Sequence, residues 1–402
     1  MIDLPSDDDF VLEAAWFWSG EGEPIQNVAI EVVGGAVIAD IRQLRSTRSR
    51  LAIIPPLVNS HTHLELSDVA SPFPAGETFP DWIEKVISHR RERESEQPAL
   101  DMGLAELLSN GTACAADTVP MEQNPIVAAG VDVFWFTEYI GLTDERIQKA
   151  IKHASETTMG LVGVSPHAPY SVRFDLLEEL VSIAASKYSP VMMHLAETRE
   201  ELEMLEHGTG PFAEMLKSFG VWEPNAFGGR SVCDYIDCLS NAPRQFHEDL
   251  PTSSKVLLAH CNYLGDREIE LLASQPSMTV VFCPRTHHHF GHSEHPWRQM
   301  LDSGITVSLG TDSRASNPDL SVWNEAKFLV NHHGCEPLLA LQMATTNEYA
   351  PTPTKQRRVV ATSMATFTVL EMNRTTTDLT RDVFDACVPI NARRHSIGWA
   401  QS

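Results

Sequence analysis

From residue 51 onward, short apolar runs rich in Val, Ile and Ala alternate with longer amphipathic stretches. That is the pattern of repeated βα units around a buried parallel sheet. Eight such runs are present, at 51–63 (LAIIPPLVNSHTH), 112–119, 131–140, 160–167, 190–197, 255–261, 278–284 and 306–312. Helical periodicity lies between them, in segments such as PDWIEKVISHRRERE and FDLLEELVSIAASK. Eight repeats predict an α/β chain built on a closed (β/α)8 TIM-type barrel, spanning residues 55–354. An open doubly wound sheet is the alternative, but no glycine-rich phosphate loop follows the first strand.

The two ends of the chain read differently. Residues 8 to about 54 contain the short strand-like runs VLEAAWFW, NVAIEVV and AVIAD, punctuated by Gly and Pro. β-like text returns after residue 355 in RVVATSMATFTVLEM. A small β-sandwich domain is therefore expected from residues 1–54 and 355–402 together. Residues 220–254 are too long for an ordinary connection and read as a structured insertion near the pocket.

Composition narrows the function classes. Of 402 residues, 43% are hydrophobic, enough for one large α/β domain and an appendage. Acidic residues outnumber basic ones 54 to 30, a formal charge of −24. So negative a surface repels phosphate backbones and anionic membranes, which sets nucleic acid and peripheral membrane roles aside. The expected partner is a small molecule, neutral or partly cationic, with a homodimer as the assembly to test. The acidic start MIDLPSDDDF has neither the basic nor the apolar region of a signal peptide. No apolar run approaches the roughly 18 residues needed to cross a bilayer. The seven cysteines are scattered without a CxxC pair, several inside strand-like runs, and a reduced cytoplasm is the expected compartment.

Chemistry enters at the strand ends, where catalytic groups of such barrels cluster. The first barrel strand ends in His61-Thr62-His63, the fifth in His194, the sixth in His260 and the eighth in Asp312. Alternation along a strand puts positions i and i+2 on one face, so His61 and His63 can grip one ion. Three imidazoles and a carboxylate suit one borderline divalent cation, Zn²⁺ first and Fe²⁺ second. A lone strand-end histidine is more often a hydrogen-bonded structural residue, and HxH alone is a weak signal. The weight comes from four strands carrying such groups at the same end.

The wording of these ends resembles the amidohydrolase superfamily. PPLVNSHTHLELS is similar to that family's PGLVNxHTHxE opening, and VSPHAPYS, HLAET, LLAHC and SLGTDSRASN are similar to its signatures on strands 4, 5, 6 and 8. The resemblance runs in order over about residues 10–350. It is nearest to the aminohydrolase branch, which holds S-adenosylhomocysteine, methylthioadenosine and aminofutalosine deaminases and the triazine hydrolases. It implies that His61, His63, His194 and Asp312 are metal ligands, that Glu197 is a proton shuttle, and that His260 stands behind the ligands. Binuclear members use a carboxylated lysine at the end of strand 4. Here that strand ends in Ser165-Pro166-His167-Ala168-Pro169 without a lysine, which implies a single metal. The PCxxC signature of cytidine-deaminase zinc sites is missing. Pro56 and Thr366 depart from the family pattern, and the tail after residue 373 matches weakly.

The implied activity is hydrolytic deamination of an aminated N-heterocycle, such as an adenosine-like or aminofutalosine-like nucleoside. A bound divalent ion lowers the pKa of its water from about 16 to about 7. Asp312 can take the water proton, His260 can orient the hydroxide, and Glu197 can protonate a ring nitrogen. Glu197 also reads as a surface carboxylate opening the next helix. Four residues are expected to meet the substrate: His167 at the mouth of strand 4, Glu65 on the face of His61 and His63, Trp82 as a stacking ring, and Arg285. Arg285 belongs to the histidine-dense run 283–292, which reads as a polar pocket rim or as a second metal site. The alternatives are a triazine-type chlorohydrolase or amidohydrolase on another ring, and a catalytically silent barrel used as a binding module.

Overall fold

The structure, a computed structural model, describes residues 9–34, 37–123, 130–156, 162–242, 256–345 and 367–390. Its first strands are Phe10–Phe17 (β1), Ile25–Val33 (β2), Val37–Gln43 (β3) and Leu51–Ile54 (β4). Proline supplies no backbone donor, and the apolar run at 51–63 breaks at Pro55-Pro56. Beyond the break Leu57–Thr62 (β5) opens a different sheet. The expected single strand is two strands in two sheets.

The barrel continues with Thr112–Pro120 (β6), Asp132–Tyr139 (β7), Val162–Pro166 (β8) and Val191–Leu195 (β9). Val256–His260 (β10), Met278–Phe282 (β11) and Thr306–Leu309 (β12) complete it. Neighbours pair in parallel from β5 through β12. The seam between β12 and β5 closes at its C-terminal rim, where Thr62 bridges Asp312. There the amides of Thr311 and Asp312 both donate to the His61 carbonyl at 3.0 Å. Gly310 allows this approach, since a Cβ there would lie 2.9 Å from the His61 amide nitrogen. Closing the barrel therefore brings His61, His63 and Asp312 side by side.

Side chains of alternate parity fill the two faces of the barrel wall. Ala116, Phe134, Phe136, Met192, Leu257 and Val281 form an inner cluster. Val191, Met193, Val256, Leu258 and Val280 belong to the large outer core under the helices. One of those helices, Phe79–Glu92, carries Trp82 and Arg90 toward the rim. Its start is fixed by a capping box. Thr78 accepts from the Asp81 amide, and the Asp81 carboxylate accepts from the Thr78 amide at 2.8 Å.

The second sheet is built from both chain ends. Thr368–Met372 (β13) pairs with β4 and with Cys387–Ile390 (β14), giving the order β14-β13-β4-β1-β2-β3. Ala52 and Ile54 on β4 join the barrel's outer core, whereas Ile53 joins a separate cluster with Phe17, Ile30 and Val369. Among the described residues this sheet is one layer. Thr366, the stretch 355–366 and the end of the 220–254 insertion lie outside the described residues. The described part of the insertion forms two short helices, Pro224–Phe227 and Val232–Leu239.

Candidate metal centre and active site

Three of the barrel strands that carry candidate residues, β9, β10 and β12, end in unusual backbone turns. Ala196, His260, Cys261 and Asp312 all take positive φ, between 51° and 71°. Such left-handed residues other than glycine cost on the order of 1 kcal/mol or more and concentrate at functional sites. Here they turn side chains at the ends of β9, β10 and β12 over the barrel mouth.

His61, His63 and His194 meet there, with one ligating nitrogen from each all within 4.8 Å of one another. Nε2 of His63 lies 3.2 Å from Nε2 of His194. Asp312 Oδ1 is 3.7 Å from Nε2 of both His61 and His63. The other Asp312 oxygen accepts from Ser316 at 2.7 Å. The tautomers follow from partners that can only accept. His61 Nδ1 donates to the Met192 thioether at 3.3 Å, and His194 Nδ1 donates to the His167 carbonyl at 2.9 Å. Both rings therefore turn an Nε2 lone pair to the centre, the arrangement outer partners impose on metal-binding imidazoles.

The donor set fits a divalent cation. His61 Nε2 is buried and has no hydrogen-bond partner. Burial lowers His61 and His63 well below the usual histidine range and His194 to about 4, so all three stay neutral. Burial also pushes Asp312 up to about 7, and no arginine or lysine pairs with it among the described residues. A cation shared by three neutral nitrogens and one carboxylate would satisfy all of them.

Two further groups flank this cluster. Glu197 is 5% exposed. One of its oxygens accepts from the Tyr170 hydroxyl at 3.2 Å, and the other lies 3.4 Å from His260 Nε2. Burial, then the charges of Asp312 and Glu201, raises its carboxyl well above the usual range. It lies one residue before Thr198, the cap of the helix Arg199–His207, and its side chain is buried and faces the cavity rather than the surface. The His260 ring centroid is 5.7 Å from that of His61 and 5.4 Å from that of His194.

Above the cluster opens a cavity of about 570 Å³. Its apolar wall includes Phe79, Trp82, Val86, Leu142 and Met215, while His63, His194, Glu197 and Asp312 lie at its polar end. Trp82 and His167 are on its lining. His167 is lowered to about 3 by burial and then by the charge of Arg90. Glu65 and Arg285 are corrections. After Thr62 the chain leaves the strand for a 3-10 turn, Leu64–Leu66, so the alternation that would have aimed Glu65 inward no longer applies. Glu65 is fully buried and ion-paired to Arg90, at 2.5 Å, and to Arg93. Arg285 turns away into Asp319, at 2.6 Å, and Glu325, at 2.8 Å. Neither is on the cavity lining.

Sequence reasoning missed Tyr170, Arg90 and Glu138. Arg90 reaches the cavity wall from its pairing with Glu65. Glu138 is 5% exposed and 3.7 Å from His167 Nε2, and its Oε1 has no hydrogen-bond partner. The signal for it was available, because TEY closes the third barrel strand with a carboxylate at the functional end.

A parallel eight-stranded barrel with this polar rim defines the class, a (β/α)8 hydrolase. The chain belongs to the amidohydrolase family, whose match covers residues 52–349. It is 26% identical over 325 residues to the 5-methylthioadenosine/S-adenosylhomocysteine deaminase of Pyrococcus furiosus, covering 76% of this chain and 69% of that one. It is 28% identical over 316 residues to the aminodeoxyfutalosine deaminase of Deinococcus radiodurans, covering 74% and 72%. Among solved structures, Helicobacter pylori aminofutalosine deaminase in complex with methylthio-coformycin superposes with a TM-score of 0.75 at 19% identity, covering 94% of this chain and 97% of that one. Zinc-bound atrazine chlorohydrolase of Arthrobacter aurescens gives a TM-score of 0.68 at 15% identity, covering 95% and 94%. These likenesses show the shared barrel.

Proposed function

We propose that the chain releases ammonia by hydrolysis from an aminated N-heterocycle, most specifically an adenine-type nucleoside. The observation that carries this reading is Glu197, a buried carboxyl between Tyr170 and His260 whose burial favours the protonated form. A protonated acid beside a nucleophile site suits a substrate whose ring nitrogen must gain a proton before its carbon is attacked.

His61, His63, His194 and Asp312 would hold one divalent ion, zinc or else iron(II). When bound, such an ion lowers the pKa of its water to about 7 and so supplies a nucleophile at neutral pH. The chain's own residues do the rest. Asp312 takes the proton of the attacking water through the carboxylate edge facing the histidines. His260 directs its Nε2 toward the same space. Glu197 gives its proton to the ring nitrogen, and the proton held on Asp312 goes to the departing amine. The hydroxyl proton left on the new oxygen returns to Glu197 as the carbonyl forms. The cavity has the volume of a small-molecule site, and Phe79 and Trp82 offer it flat apolar surface. Curated relatives acting on adenine nucleosides support this substrate class. No helix among the described residues is long and apolar enough to cross a membrane, and no disulfide joins any of the seven cysteines; both accord with the proposed cytoplasmic location.

The test is ammonia release from adenosine, 5′-deoxyadenosine, methylthioadenosine, S-adenosylhomocysteine, guanine and amino- or chlorotriazines, with metal content measured alongside. Turnover of adenine nucleosides, lost on chelation and restored by zinc or iron(II), is the expected result. Chloride release from a chlorotriazine with no ammonia from any nucleoside would replace deamination with the dehalogenating alternative.

A further inference from the structure

The histidine-dense run after β11 takes no part in the site above. It forms the short helix Pro284–His289 and the turn beyond it. Together with the C-terminal end of the helix Val322–His333 it encloses a separate cavity of about 310 Å³. His287, His288, His292, His332 and His333 line it. The expectation that this run rims the main pocket is therefore corrected, because none of its histidines is on the lining of the larger cavity.

Two of these rings present bare nitrogens. His287 is 5% exposed, and its Nε2 has no hydrogen-bond partner. His292 Nε2 is likewise buried and without one. Leaving a buried polar nitrogen unsatisfied is costly, so two in one cavity point to a ligand. His292 is braced from outside, with Nδ1 2.9 Å from the Tyr263 hydroxyl. That is the support a metal-binding imidazole takes from its second nitrogen. Burial lowers both His287 and His292 to about 4. Neutral imidazoles attract a cation and have no net charge to offer an anion. The one guanidinium on the lining, Arg298, is turned onto the carbonyls of His333 and Gly334.

We propose that this cavity is a second metal site, taking a borderline divalent cation of the zinc class through His287 Nε2, His292 Nε2 and a ring nitrogen of His333. The His287 ring centroid is 5.4 Å from that of His292 and 6.3 Å from that of His333. The corresponding separations among His61, His63 and His194 are 4.8 to 5.3 Å. The second set is more open. Among the described residues only the first trio already gathers its nitrogens within 4.8 Å, so His333 has to turn inward at its helix end. A bound ion would then tie the Pro284–His289 helix to the end of Val322–His333, a structural role in which binding energy adds directly to stability.

The experiment is zinc counting by mass spectrometry on the untagged full chain, dialysed against micromolar free zinc. Native protein should retain one zinc per chain more than the double variant His292→Gln with His333→Gln, and zinc should raise the native Tm by more than that of the variant. His332→Gln should retain the native count. The double variant spares the most buried ring, His287, and its circular dichroism spectrum should stay native. A single zinc per native chain overturns the proposal without reference to any variant. An equal count in native and double variant, or a loss with His332→Gln, overturns the ligand set.

Discussion

Four of the buried carboxylates near the barrel mouth form two contrasting pairs. Glu65 and Glu325 are neutralised by arginine, the first by Arg90 and Arg93, the second by Arg285. Asp312 and Glu197 have only uncharged donors, Ser316 and Tyr170. Both environments remove water, so both must answer for the charge they bury. The arginine-clamped pair is complete within the chain and fixes the loops around the mouth. The other pair has no charged protein partner among the described residues, and in the proposed function a cation would complete Asp312 while the substrate would take the Glu197 proton. In these two pairs, the arginine-clamped carboxylates belong to the scaffold and the unclamped ones to the proposed reacting side of the rim.

The sharpest way to break this division is Asp312→Asn. The amide keeps the shape and the Ser316 contact but cannot take a proton, so turnover should fall by about 10³-fold or more. Circular dichroism should remain native. Activity within about tenfold of the native level, against the 1.4 kcal/mol a tenfold loss represents, would remove Asp312 from the reacting pair.

On the scaffold side the largest effect is expected from Arg285→Met. It strands Glu325, which also accepts from the Arg285 amide at 2.9 Å and from Asn317 at 2.6 Å. Breaking a buried pair by removing one partner costs about 3–5 kcal/mol, measurable by denaturant unfolding. Arg285 also sets an acid limb. Burial raises Asp319, but the hydrogen bonds and charge of Arg285 outweigh it and hold the carboxyl below its usual range. A lowered carboxyl stabilises above its unfolded pKa and loses that contribution as pH falls through the folded value. The native protein should therefore lose stability on acidification below the ordinary aspartate range more steeply than the Met variant does. Equal stability of the two at neutral pH would show that Glu325 needs no clamp.

Glu197→Gln comes next. Losing a positioned acid should cost about 10²-fold in kcat with zinc content unchanged, since Glu197 faces His260 and Tyr170 rather than the histidine trio. Loss of the metal instead would place Glu197 among the ligands.

How much of this was legible depends on where the period-2 rule holds. His61, His194 and His260 sit in strands and His63 and Asp312 just past strand ends, so the end of the barrel they occupy followed from the order of the strands. Glu65 lies two residues past His63, but the strand has already ended and the 3-10 turn carries it to the helix bearing Arg90 and Arg93. The clamps join residues 25 to 40 apart in sequence, across a βα connection that no local pattern reports. The break at Pro55-Pro56 was visible as residues, yet its consequence, a change of sheet, is a tertiary fact.

The smallest effect expected is also the most discriminating, because Glu138 stands between the two kinds of carboxylate. It is as buried as Glu197, with His167 at 3.7 Å and the charges of Arg90, His194 and Glu65 acting on it. Burial raises its carboxyl against the pull of Arg90 and so favours the protonated form. The Ser171 hydroxyl donates to the Ala168 carbonyl at 3.1 Å and takes the His167 Nδ1 proton at 2.6 Å. That leaves His167 Nε2 as an acceptor facing Glu138. A neutral carboxyl and a carboxamide then present the same hydrogen toward that nitrogen. Glu138→Gln should change kcat/KM by no more than about threefold, well under the 1.36 kcal/mol of one pKa unit. It should also leave the pH profile in place. A loss of a hundredfold, or a shifted alkaline limb, would mean that Glu138 works as an anion beside an ionised His167. It would then belong with Asp312 on the reacting side of the rim.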